Sequence, residues 1–311
     1  MELFHKIANL LKDKEKKVVA QNFFALVLLQ GANYILPLLI LQYLVRVLGA
    51  EKFGLVMFAQ SLALFLTVFV DFGFNISGTR EISLARENKE KTGEIFLAIM
   101  FIKLGLLIIA FGILYLITNT FTRFSLDSEV YLFSFGVVVG QALFPVWFFQ
   151  GIEKMKFVTF INILAKVIFT ILVFFLVKIE DDYFKVPIYN SLGYIVAGLI
   201  GFVLSFKYFK YKLPTFNLVK RLLVESSSLF VSNFATSLYT ASNVFILGLF
   251  SGNIIAGVYA SMEKLILAVK NVYVPLYQAL YPWVARQEDS KKKQIINKIM
   301  PPVFLVSTLI T

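Results

Sequence analysis

Eight apolar stretches follow one another along the chain with short polar breaks between them, at about 18–48, 53–78, 95–118, 129–152, 155–178, 183–209, 226–250 and 253–283. Each exceeds the roughly 20 residues that an α-helix needs to cross a hydrocarbon core about 30 Å thick. The chain therefore reads as all-α, a polytopic transmembrane helix bundle. A ninth run begins near Lys298 and stops at Thr311; its roughly 14 residues would rise only about 21 Å, too little to span. Composition agrees, with 59% hydrophobic and 16% charged residues against about 45–50% and about 25% in soluble chains. Without cysteine there is no disulfide framework or thiol chemistry, and the single His5 builds no metal site. Residues 1–17 form a basic amphipathic head (His5, Lys6, Lys12, Lys14, Lys16, Lys17). The apolar run after it is too long for a cleavable signal and lacks a small-residue cleavage site.

A net charge of +11 suggests nucleic acid until its distribution is considered. With the N-terminus inside, the cytoplasmic segments are 1–17, 79–94, 153–156, 207–225 and 284–298, which hold 21 Lys and Arg. The opposite loops, about 46–53, 119–129, 178–185 and 250–253, hold 5. This is the positive-inside asymmetry, so the basic charge is topological and no nucleic-acid partner is expected. The expected organisation is a cytoplasmic head (1–17), a first six-helix lobe (18–209), a cytoplasmic linker (210–225) and the start of a second lobe (226–311).

Some residues are too polar for their depth. The stretch 141–170 reads as a helix end, a tight turn at 151–156 and a returning helix on which Thr159, Asn162, Lys166 and Thr170 share one face. Lys166 lies roughly 15 Å deep, where an ammonium costs about 2.5–3.5 kcal/mol and is expected to face protein or water. Lys103 and Lys270, about 14 Å and about 19 Å from the inner edge, share that depth. Gln30, Asn33, Asn233 and Asn243 add amides to other helices. Gly73, Pro37, Pro145 and Pro275 would permit kinks.

The chain also echoes itself. Gly49 to Gly54 with the following Leu-Val-Met-Phe-Ala resembles Gly252 to Gly257 with Val-Tyr-Ala-Ser-Met, 203 residues on. That offset of six helices keeps the repeat parallel, as in transporters built from halves related by an axis along the membrane normal.

Five segments carry a family resemblance: Leu44-Val-Arg-Val-Leu-Gly-Ala-Glu-Lys-Phe-Gly-Leu-Val-Met-Phe-Ala-Gln60, Asp71-Phe-Gly-Phe-Asn-Ile-Ser-Gly-Thr-Arg-Glu-Ile-Ser83, Trp147-Phe-Phe-Gln-Gly-Ile-Glu-Lys-Met-Lys156, and in the second half Tyr259-Ala-Ser-Met-Glu-Lys-Leu265 with Pro275-Leu-Tyr-Gln-Ala-Leu-Tyr-Pro282. The chain resembles the Wzx-type O-antigen flippases, polysaccharide repeat-unit exporters of the superfamily that includes MATE drug exporters and lipid II flippases. The resemblance implies a MATE-like, two-lobed, multi-pass transporter of the bacterial inner membrane. It would move undecaprenyl-pyrophosphate-linked oligosaccharide outward for O-antigen, capsule or exopolysaccharide synthesis, among membrane lipids and beside the polysaccharide polymerase of the same pathway. Such proteins carry several more helices than this chain, so the second lobe is expected to be incomplete and the chain alone inactive.

A pyrophosphate and a sugar cannot cross hydrocarbon, so that task needs a hydrated, cationic lumen. Lys103, Lys166 and Lys270 are the expected phosphate ligands, and Gln30, Asn33, Asn162, Asn233 and Asn243 the expected partners of sugar hydroxyls. Helix packing is the alternative for the amides, and ion pairing, for instance with Glu263, the alternative for the lysines. Asp71, read as lying near the cytoplasmic end of its helix, is assigned with Arg80 and Glu81 to gating or a structural ion-pair cluster. Glu263 is assigned to ion pairing or coupling. No catalytic residues and no cofactor are expected, with proton or sodium coupling left open. Two rivals stand beside this reading. A MATE-like exporter of small molecules or of other lipid-linked cargo shares the fold, and one that carries small cations would favour carboxylates over lysines in its lumen. A membrane-bound polysaccharide polymerase would carry catalytic residues in a long outside loop, whereas the longest here is about eleven residues.

Overall fold

A computed structural model describes residues 14–270, with side chains for 36–239 and 242–268, and every regular element among them is helical. The order is α1 (Lys14–Asp71), α2 (Phe74–Ala85), α3 (Lys89–Thr120), α4 (Thr122–Ser125), α5 (Ser128–Leu143), α6 (Val146–Gly151), α7 (Met155–Leu176), a 3₁₀ turn (Glu180–Phe184), α8 (Lys185–Ser205), α9 (Phe216–Phe250) and α10 (Asn253–Lys270). Five segments among the described residues are long and apolar enough to cross a membrane: Leu36–Ala85, Lys89–Thr120, Ser128–Gly151, Met155–Leu176 and Glu180–Ser205. The all-α, polytopic membrane bundle expected from sequence is the observed fold class. α9 spans 35 residues, but serines and amides such as Ser226, Ser232 and Asn233 keep it outside that apolar set.

The chain divides into two compact units, one of Met1–Leu38 with Met262–Thr311 and the other Leu39–Ser261. In the first, the described residues are the leading part of α1, with Pro37 inside the helix, and the trailing part of α10. The second holds the rest of the described helices.

Three breaks shape that larger unit. Gly49, left-handed at φ 69°, divides α1 into two arms. Phe72 (φ 48°) and Gly73 (φ 80°) separate α1 from α2; the left-handed region is strained for phenylalanine and open to glycine. Phe144 and Pro145 separate α5 from α6. Here proline removes a donor and clashes with the preceding turn. Thus the expected helix 53–78 continues past its break to Ala85, and the expected helix 129–152 is two pieces.

α5 and α8 approach through small residues. A Cβ on Gly140 would lie 2.4 Å from Tyr194 C, and one on Gly198 would lie 2.3 Å from Gly140 O. Gly136 and Gly140 form the small-xxx-small spacing that lets membrane helices meet closely. α3 instead shows Phe101, Leu104, Ile108 and Leu116 outward, an apolar face suited to lipid. Near the α2–α3 turn, Phe96, Trp147, Phe148, Phe149 and Phe209 form a fully packed aromatic core. The phenylalanine-rich motif at 147–149 therefore fills the interior. Its neighbour Gly151 abuts Ile82, and the Thr79 hydroxyl lies 3.2 Å from Trp147 O and 3.1 Å from Gln150 Oε1.

Segments that share a side by charge also share an end in space. At one end Arg86 meets Glu153 at 2.5 Å, Lys212 meets Glu94 at 3.0 Å, and Lys210 N donates to Lys89 O at 3.0 Å. At the other, Tyr183 donates to Asp127 at 3.2 Å, Lys52 lies over the Tyr183 ring at 4.2 Å, and Arg123 bonds Asn253 at 2.5 Å. Asp182 is only 6% exposed and accepts from Lys178 N, Ile179 N and Lys185 Nζ.

Candidate functional site

The breaks at Phe72–Gly73 and Phe144–Pro145 border a single cavity. Thr67, Val70, Asp71 and Asn75 line it from α1 and α2, Lys103 from α3, and Gln141, Phe144 and Val146 from around the proline break. Asn162 of α7 and Tyr194 of α8 complete the polar wall. Its volume is about 130 Å³, room for about four waters at about 30 Å³ each. Irregular backbone is tolerated at membrane depth where it lines such a space.

An ion pair forms the floor of this cavity. Lys103 Nζ lies 3.2 Å from Asp71 Oδ1, with the two side chains 4% and 18% exposed. Asn75 N approaches the other carboxylate oxygen at 3.4 Å, so the first turn of α2 holds Asp71 from the opposite side. Two expectations are corrected here. From sequence Asp71 reads as lying near the cytoplasmic end of its helix, with Arg80 and Glu81 just beyond. The helical path instead runs on to Ala85, which sets Asp71 some 21 Å from that end. Lys103 stands as far into α3 from Lys89, so the two meet at matched depth. The ion pairing expected as the alternative for the lysines is thus made by Lys103, with Asp71 and not with Glu263.

The other expected residues are dispersed. Asn162 faces the cavity and donates from Nδ2 to Val158 O at 2.9 Å. Lys166, half-buried one turn further along α7, does not line it; the Thr170 hydroxyl donates to Lys166 O at 2.7 Å. Asn233 is half-buried on α9, and exposed Asn243 donates to the Tyr259 hydroxyl at 2.8 Å. Glu81 pairs with Arg221 at 2.8 Å, while Arg80 is exposed. That hydrogen bond holds the Arg221 guanidinium above its ordinary range. Glu263 belongs to α10, half-buried beside Lys264. The side chains of Gln30, Asn33 and Lys270 lie outside the described residues, as does Pro275.

Thr67, Asn75, Gln141 and Tyr194 are cavity residues that sequence reasoning did not single out. Two of them had a signal: Asn75 lies one turn after Asp71, and Gln141 one turn before Pro145. Among the described residues no group of three or more His, Asp or Glu is placed to hold a metal ion. Chemically, the arrangement offers a buried, exchangeable ion pair within reach of several hydrogen-bonding side chains.

The profile of the family described as polysaccharide biosynthesis protein matches residues 19–288. A protein of Escherichia coli (strain K12), provisionally named O-antigen transporter, is 33% identical over 296 residues, which cover 94% of this chain and 70% of that one. A protein of Shigella dysenteriae with the same provisional name is 31% identical over 276 residues, covering 86% and 68%. No solved structure matches the chain at significance.

Proposed function

From the premise that the chain belongs to the polysaccharide biosynthesis protein family, we propose that it is a flippase. Its substrate is an undecaprenyl-pyrophosphate-linked oligosaccharide repeat unit, carried outward across the bacterial inner membrane with the N-terminus cytoplasmic. Transport, not catalysis, is the activity. The observation that carries this reading is the Asp71–Lys103 pair in a polar cavity between two broken membrane helices. A polyprenyl tail can stay in lipid, while the diphosphate and sugars need a wet, hydrogen-bonding passage.

In this reading Lys103 is the phosphate ligand, and Asp71 competes with phosphate for it. Either the diphosphate displaces Asp71 or a coupled proton neutralises it, and both routes free the ammonium. Lys166 and Lys270 extend the cationic path. Asn162, with Asn75 and Gln141 beside it, addresses sugar hydroxyls, and Gln30, Asn33, Asn233 and Asn243 do so along the rest of the route. Arg80, Glu81 and Glu263 serve gating or coupling. A cavity for about four waters is far smaller than an oligosaccharide, so the passage opens by movement of a two-lobed body of which 18–209 is the first lobe.

Deletion of the gene from its host tests the proposal. Surface polysaccharide should fall and lipid-linked repeat units accumulate on the cytoplasmic leaflet, with rescue by the full coding sequence. Undiminished surface glycan in the deletion strain would refute it. A carboxylate in the cavity also suits a small-cation exporter, which predicts drug sensitivity with normal surface glycan instead.

A further inference from the structure

The end that gathers 46–53, 119–129 and 250–253 holds contacts that the cavity does not use. Gly49 and Gly252 are both left-handed, at φ 69° and 87°, and a Cβ on either would meet open space. Conformation, not room, therefore calls for glycine at both turns. Five residues on, Gly54 and Gly257 show the opposite. A Cβ on Gly54 would lie 1.8 Å from Asn253 O, and one on Gly257 would lie 2.8 Å from Gly54 Cα and 3.3 Å from Ala50 O. Ala50 and Asn253 are themselves 203 residues apart. The contact is thus reciprocal, each helix start resting on the equivalent carbonyl of the other, as a local two-fold axis requires.

Arg123 of α4 fastens this crossing. Its Nη2 donates to Gly248 O at 2.8 Å and to Asn253 Oδ1 at 2.5 Å, and its guanidinium lies 5.2 Å from the centre of the Phe58 ring. Phe58 in turn packs on Phe245 at 5.4 Å and Phe124 at 5.6 Å. Tyr131, edge-on to Phe58, is fully buried, and its hydroxyl has no hydrogen-bond partner. An orphaned polar group disfavours the closed arrangement, and water entering on opening would satisfy it. The second arm of α1 carries Gly54 at this end and Thr67, Val70 and Asp71 at the cavity, about 25 Å along the helix. Parting the helix starts therefore moves a cavity wall.

We propose that these contacts form a latch. Arg123 holds the α9–α10 turn against the second arm of α1, and its release lets the repeat-related helix starts separate and exposes the seam on that face of the membrane. The purpose of the latch rests on the transport reading, but its test does not. The chain has no cysteine, so Ala260→Cys, 3% exposed on the same face of α10 as Gly257, supplies a clean probe. Its reaction with an impermeant methanethiosulfonate is timed in intact cells and in inverted vesicles.

Arg123→Ala should raise the rate about tenfold from the latch face alone, the shift that losing charge-assisted hydrogen bonds brings to a two-state equilibrium. Gly257→Leu should do the same with Arg123 intact, because its side chain has no room. If Arg123→Ala does not insert, Asn253→Ala, which removes only the side-chain acceptor, serves in its place. Unchanged rates in these variants, or an equal rise from both faces, would overturn the latch. Accelerated labelling with unaltered surface glycan would instead count against the transport reading and leave the latch standing.

Discussion

Replacing Asp71 by asparagine should destabilise the protein more than any other single polar change at the cavity. At 3.2 Å and an effective dielectric constant of about 20, the attraction on Lys103 is about 5 kcal/mol. The variant keeps the ammonium, 4% exposed, without its counterion, and stranding a buried charge in this way costs about 3–5 kcal/mol. For a chain of this size that loss corresponds to roughly 10 °C or more in melting temperature. Lys103→Met strands the carboxylate and should cost less, because Asp71 is the more exposed partner. The double variant Asp71→Asn/Lys103→Met should recover to within about 1–2 kcal/mol of the parent, since a neutral pair has no charge to desolvate. The assay is the melting of a fluorescently tagged protein in detergent, followed by size exclusion and paired with surface glycan in cells. Recovered stability without recovered export would separate the pair's functional role from its structural one. An Asp71→Asn variant that melts within about 1 °C of the parent would refute the reasoning, because it would mean that the pair carries none of the load assigned to it.

Three further outcomes are expected. Cysteines introduced at Glu87 and Asn217 should resist an impermeant thiol reagent in intact cells while one at Ser125 reacts; all three sites are exposed, and the reverse pattern would invert the orientation. Gly140→Leu should abolish accumulation of folded protein in the membrane, because its Cβ alone would lie 2.4 Å from Tyr194 C; normal accumulation would show that α5 and α8 do not cross there. Lys166→Arg should retain more export than Lys166→Ala, since charge is kept while geometry changes; equal export by both at the parent rate would remove Lys166 from the path.

Helix existence was legible because a run of more than twenty apolar residues has few alternatives in a membrane. The shared ends of the loops followed from their lysines and arginines in the same way. What sequence could not convey was depth and facing. Thr79, Arg80 and Glu81 look like a helix terminus, yet Glu81 is held by Arg221 from a distant segment, so α2 continues and Asp71 sinks with it. Gly73 and Pro145 announced breaks individually, but their convergence on one cavity depends on packing between elements far apart in sequence. The aromatic motif at 147–149 gives no sign of whether its rings meet sugar or one another, and here they meet one another. Gln141 and Tyr194 are single polar residues on apolar helices whose inward face only the tertiary structure determines. The Gly136–Gly140 spacing is itself a sequence signal for close helix approach.

The Asp71–Lys103 pair also bears on how the chain responds to the membrane potential. A lone ammonium carried through the field would gain or lose about 2.3 kcal/mol for each 100 mV it crosses. The pair moves as a neutral unit, so an empty protein that changes its exposure with Asp71 and Lys103 bonded does no net electrical work at this site. Any voltage sensitivity of the loaded step would then report the charge that enters with the cargo.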